Sequence, residues 1–178
     1  RADMLRPDPR DDFDRFSGVF ASDGRVILEG DPAPGMPDGF TLGPIVFPAV
    51  TGGGEIAFRA DIAGPGVFIG NDDGLFTETR LVAREGFEAP GLPGARITDG
   101  PGRPQINGLG EPVFGAGISG AGVTPEKNDL AHFARGGVVA RRGDPATGAG
   151  AGRLIDGLGF PSFGSTGDVS SIGNVTDT

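Results

Sequence analysis

The chain has 178 residues and a formal net charge of −9, from 24 acidic against 15 basic residues. A field of that sign repels phosphate backbones and anionic lipid, so nucleic acid is not an expected partner. With no cysteine there is neither a disulfide nor a thiolate metal site, and no run approaches the roughly 18 apolar residues of a membrane span.

The first 15 residues mix Arg, Asp and Pro with little to bury, which predicts an extended N-terminal arm over 1–15. The chain opens on Arg1 with neither an initiator Met nor an apolar signal core, as expected of a processed or partial product. From Phe16 a single β-repeat domain is predicted, over 16–178. Gly18-Val19-Phe20 reads as a short strand, and Ser22-Asp23-Gly24 turns it back into Val26-Ile27-Leu28. Gly30-Asp31-Pro32-Ala33-Pro34-Gly35 must be a loop, because its two prolines suit neither a helix interior nor a central strand. A third strand is predicted at Thr41-Leu42 with Ile45-Val46-Phe47, and a fourth over Glu55–Ile62. In the fourth, Ile56, Phe58, Ala60 and Ile62 alternate with Glu55, Ala57, Arg59 and Asp61, the period of two of a strand with one buried face.

This fourth strand returns twice. Pro48, Pro104 and Pro161 are spaced by 56 and 57 residues, and so are Gly30, Gly86 and Gly143. Periodic glycine of this kind is turn chemistry, and the 35 Gly and 16 Pro do not mean low complexity here. The repeats run approximately over 16–62, 63–118 and 119–178, with three to four short antiparallel strands each and no helical period anywhere. Shifted by the period, Phe58 becomes Phe114 and then Ser171, so the last copy is atypical. The middle copy is predicted to carry a lengthened hairpin tip around Asn71-Asp72-Asp73-Gly74, since Phe68 to Gly86 is longer than Phe20 to Gly30. The predicted fold is therefore all-β and built of propeller-blade-like repeats, with a closed three-fold barrel of trefoil type as the alternative.

Asn107-Gly108-Leu109-Gly110-Glu111-Pro112-Val113-Phe114-Gly115-Ala116 fits an Asn-x-x-Gly-x-x-x-Phe-x-Ala signature. In this the chain resembles a family of bacterial exported tandem-repeat proteins of unassigned function. Asn107, Gly110, Phe114 and Ala116 carry the resemblance, which extends over about Gly18 to Val175; Asn107 is replaced by Thr51 in the first copy and Gly164 in the third. The resemblance implies a repeat fold and an extracellular or cell-surface location, and it brings no catalytic residues.

The residues themselves offer little chemistry. Asn71, Asp72 and Asp73 supply oxygen atoms to a possible calcium site, or simply build a turn, because they lack the alternate spacing and distal bidentate acid of a known calcium loop. Gly115 to Gly120 matches a dinucleotide fingerprint in letters, with no helix to follow it. The lone His132 cannot build a triad or a zinc site without a second His or a Cys, and no other cofactor is indicated. The ends are more informative. The ordered repeat array begins at the strand containing Val19 and Phe20 and stops after the strand from Val169 to Val175, so it is cut inside the unit. Such a cut leaves complementary edges that join copies by β-strand addition. The sequence thus points to a non-enzymatic, self-assembling structural protein, an oligomer or filament, with a ligand-binding propeller-like module as the alternative.

Overall fold

The computed structural model describes residues 17–164 and 167–177, and the arm expected at 1–15 lies outside them. A hairpin of β1 (Gly18–Phe20) and β2 (Val26–Leu28) comes first. Next, β3 (Thr41–Val50), β4 (Ile56–Ala63), β5 (Asp73–Thr77) and β6 (Leu81–Arg84) form a four-stranded antiparallel meander in chain order, the first blade. In the second blade β7 (Ala95–Ile97) and β8 (Gln105–Ile106) both pair with β9 (Pro112–Gly120), followed by β10 (Leu130–Ala134) and β11 (Gly137–Arg141). A last hairpin joins β12 (Arg153–Phe163) to β13 (Val169–Asp177). The protein is all-β, as the alternation of apolar residues predicts. Its sheets stay open, so the three-fold closed barrel is set aside.

The register shows how the parts correspond. Phe58 stands opposite Phe76 in the first blade, and Phe114 opposite Phe133 in the second. Counting by the period of 56 and 57 residues, β4, β9 and β13 are the second strands of successive units, and β1, β5 and β10 are the third. The described residues therefore form two four- or five-stranded blades flanked by two hairpins: β1–β2 corresponds to the outer strands of a unit, and β12–β13 to the inner strands. Along one side of the array, β8 touches both β3 and β12, so the first strands of the three units lie next to each other.

Blades stack face to face, which buries both sides of the central strands. Phe58, Ala60, Ile62 and Phe76 pack with Val19 in a cluster between the first hairpin and the first blade. On the opposite face Leu75 and Ala83 pack with Phe114, Ala116, Ile118 and Phe133 of the second blade. Ala57, on the face predicted to be exposed, is fully buried for this reason. Alternation marks strand faces but cannot tell one covered face from two.

The Gly-Pro-rich loop repeats as a hydrogen-bond pattern. Gly30, Gly86 and Gly143 N–H groups donate to Leu42, Ile97 and Ile155 carbonyls at 2.7–2.9 Å. Ala33, Ala89 and Ala146 N–H groups donate to Phe40, Ala95 and Arg153 carbonyls at 2.9–3.0 Å. Each loop carries the chain from the outer strand of one unit to the inner strand of the next, so the three joints are built alike.

The lengthened hairpin tip expected near Asn71 is a correction. Phe68 is an exposed residue of the β4–β5 connection, and the ring in register with Phe20 and Phe133 is Phe76. The β4–β5 connection matches the β9–β10 connection in length and design. Asn71 Oδ1 accepts from Phe68 N–H at 2.9 Å, and Asn128 Oδ1 accepts from Thr124 N–H at 2.6 Å. Arg84 and Arg141 Nε atoms donate to the Asn71 and Asn128 carbonyls at 2.6 and 2.7 Å.

Candidate functional site

The signature residues build a turn. Asn107 Oδ1 accepts from the N–H groups of Leu109 and Glu111, both at 3.0 Å, and its Nδ2 donates to Glu111 Oε2 at 2.9 Å. Gly110 closes the turn at φ 74°, a left-handed conformation that favours glycine. In the first copy Thr51 does the same work with a hydroxyl that accepts from Gly53 and Glu55 N–H at 3.2 Å and bonds the Glu55 carboxylate. In the third copy Gly164 keeps only the backbone bonds, with Gly164 N–H donating to Asp168 O at 2.7 Å. Phe114 and Ala116 lie buried on the face of β9 turned to the first blade. The signature is thus a hairpin turn with two core anchors. The bond from Asn107, joined by Arg135, holds the Glu111 carboxyl below the usual carboxylate range.

Asn71, Asp72 and Asp73 do not converge on one point. Asn71 and Asp72 are engaged in the turn, with Asp72 Oδ1 accepting from Gly70 N–H at 3.2 Å, and Asp73 pairs with Arg59 across the β4–β5 ladder. Among the described residues no group of three or more His, Asp or Glu is placed to hold a metal ion. Around the Arg59–Asp73 pair lie Asp61 and Glu85. Burial, followed by the charges of Asp73 and Asp72, pushes both carboxyls upward. The sequence gives no cue to this pair, because Arg59 and Asp73 are not related by the repeat.

The residues predicted to join copies lie on β1 and β13, the first and last of the described strands. Among the described strands β1 pairs only with β2, and β13 only with β12. Val19 is buried against the first blade, but Phe20 is 74% exposed, whereas its counterparts Phe76 and Phe133 are fully buried. Both counterparts stack on a ring of the neighbouring strand, Phe58–Phe76 at 5.6 Å and Phe114–Phe133 at 5.2 Å between centroids. On β13, Val169 is half-buried and Val175 is exposed, as are Ile172 and Phe160 nearby. Every residue of β4 from Ile56 to Ala60 is at least partly covered, whereas all of β13 after Val169 is exposed.

A hollow of about 470 Å³ opens between the second blade and β12, lined by Gly115, Gly117, Leu130, His132, Leu158 and Phe160 among others. In the first blade the positions of Gly115 and Gly117 carry Arg59 and Asp61; here a Cβ on Gly117 would lie 2.6 Å from Asp99 Oδ2 and one on Gly115 3.1 Å from His132 Cδ2. His132 is 2% exposed, and its Nε2 lies 2.8 Å from Gly159 O, tying β10 to β12. Burial pushes its pKa down, and because a carbonyl oxygen only accepts, Nε2–H is the donor in that bond.

Among the described residues no helix is long and apolar enough to cross a membrane. A family model described as a family of unknown function (DUF7453) matches residues 17–178, and the chain belongs to that family. No curated protein and no solved structure matches it.

Proposed function

We propose that this DUF7453 chain is a non-enzymatic structural unit that assembles through β-strand addition at its two open edges. One observation carries the reading. Among the described strands, β13 has no partner on the edge that β4 and β9 give to β5 and β10, and β1, a third strand of the same kind, has no second strand beside it. An unpaired edge presents a row of backbone donors and acceptors, and pairing supplies them with partners. Display outside the cell is part of the reading and rests on the resemblance carried by Asn107, Gly110, Phe114 and Ala116.

Sedimentation of the purified chain, beside a version ending at Gly167, tests it. Assemblies that disappear with removal of β13 support strand addition, and an intact chain that sediments as a monomer at micromolar concentration overturns it. A second reading, a binding module for a small ligand, is favoured by the glycine-walled hollow beside His132. It predicts a monomer that a small ligand stabilises against thermal unfolding.

A further inference from the structure

We infer that the hollow between the first and second blades binds a small carboxylate with an apolar body, and that Arg80 takes its charge. This goes beyond assembly and involves neither flanking hairpin. The hollow measures about 380 Å³, within the roughly 300–1,000 Å³ of small-molecule sites. Arg80 and Val82 wall it from the first blade, Glu111, Phe114, Phe133 and Arg135 from the second, and Pro90 from the loop that joins the blades.

Arg80 differs from the arginines of the other outer turns. Arg25 lies between β1 and β2, Arg80 between β5 and β6, and Arg135 between β10 and β11. The Arg25 guanidinium bonds Asp23, Glu78 and the Gly54 carbonyl, and Arg135 donates to Glu111 Oε2 and Gly167 O, both at 3.2 Å. Gly54 and Gly167 close repeated turns, so each of these arginines ties an outer hairpin to the turn of the next unit. The matching turn between the two blades closes on Gly110, and Arg80 makes no such bond to it. Among the described residues the Arg80 guanidinium has neither a hydrogen bond nor an ion pair. Glu78, the acid of its own turn, is taken by Arg25.

The charges of the lining fix the sign of the ligand. Glu111 is matched by Arg135, so Arg80 leaves the hollow with one net positive charge, in a chain of net charge −9. A guanidinium presents paired N–H donors that fit the two oxygens of a carboxylate. The Glu111 carboxylate is committed to Asn107 and Arg135, which leaves no acid for a ligand ammonium. The class is therefore a simple carboxylate, not an amino acid. The rest of the lining is apolar: Val82 and Pro90 are half-buried, and the Phe114 and Phe133 rings are buried. Such walls suit an apolar body.

The protein holds neither Trp nor Tyr, so an indole ligand is read without background. Indole-3-acetate added to the full chain should gain fluorescence anisotropy with a Kd below about 1 mM. Indole-3-acetamide, the same ring without the charge, should bind roughly tenfold more weakly, and Arg80→Ala should weaken the acetate by about ten- to a hundredfold. Arg80→Lys, a point charge without the fork, should fall between. Arg80 is exposed, so Arg80→Ala should melt like the native chain in the absence of ligand, and Lys127→Ala, a charge removed elsewhere, should bind normally. No gain in anisotropy with the native chain, equal binding of the acetamide, equal binding by Arg80→Ala or equal loss in Lys127→Ala would each overturn the site. Binding lost in His132→Leu but kept in Arg80→Ala would also overturn it, and would place the ligand in the hollow beside β12. None of these outcomes bears on strand addition, which removal of β13 tests separately.

Discussion

Asn107 spans the turn into β9 and meets Glu111 twice: its Oδ1 accepts from Glu111 N–H at 3.0 Å, and its Nδ2 donates to Glu111 Oε2 at 2.9 Å. With the Leu109 bond, one 8% exposed side chain satisfies three partners. Asn107→Ala should lower the unfolding free energy by about 2–3 kcal/mol, since each bond contributes about 0.5–1.5 kcal/mol and buried groups lose their partner. Asn107→Thr, which copies Thr51, should cost about 1 kcal/mol. Urea denaturation of the two variants measures the difference.

The Arg59–Asp73 pair sits between blades, with side chains 25% and 19% exposed. Arg59→Ala leaves Asp61, Asp73 and Glu85 without their cation and should destabilise by about 2 kcal/mol at pH 7. The pH dependence fixes the cause. Asp61 and Glu85 already have raised folded pKa values, and loss of Arg59 raises them further. Between the unfolded and folded values the native state then binds more protons, so stability falls as pH rises. The deficit should therefore shrink when the pH is lowered from 7 toward 4.5. A constant deficit in thermal melts across this range would assign it to lost packing instead.

His132 gives the opposite slope. Its folded pKa lies below the unfolded value near 6.5, so the unfolded state takes up the proton first and stability falls as pH drops through about 6.5. His132→Leu, the residue of the first blade at Leu75, should flatten the stability curve between pH 7 and 5 while losing the bond to Gly159 O. Hydrogen exchange of β12 should rise in this variant, since that bond ties β12 to β10.

Phe114→Ser places in the second blade the residue found at Ser171. It removes one ring of a stack buried between blades and should cost about 3–5 kcal/mol by denaturant unfolding.

Gly86 combines a φ of 74° with a position where a Cβ would lie 2.8 Å from Gly70 O. Gly86→Ala should cost about 1–3 kcal/mol, whereas Gly30→Ala, with open space around it, should cost only the backbone part. Thermal melts of the two variants separate crowding from conformation.

The repeat was legible because its markers are residues whose conformation has few substitutes: Gly30, Gly86 and Gly143 at the joints, and Gly54, Gly110 and Gly167 in the turns, all with positive φ. The Asn71 connection was misjudged because Phe68 and Phe76 are alike in sequence and differ only in which is buried, a tertiary property. The length of β3 and β12 was hidden by prolines. Pro44, Pro48 and Pro161 fit within these strands because the ladders break register at Leu42/Ile45, Val46/Ala49 and Leu158/Pro161. The hollow beside His132 was not legible, because Gly115 and Gly117 look like turn glycines until β9 is seen to carry them inside a sheet.

The meander of β3 to β6 has a kinetic consequence. Each strand finds its partner next to it in the chain, so the first blade needs only short loop closures and is expected to form early, before the blades dock. The flanking hairpins close as quickly, yet among the described residues each is two strands wide, a size with marginal stability on its own. Refolding should therefore begin in the middle of the chain, and amide protection should spread outward from Phe58, Phe76, Phe114 and Phe133 toward the two ends.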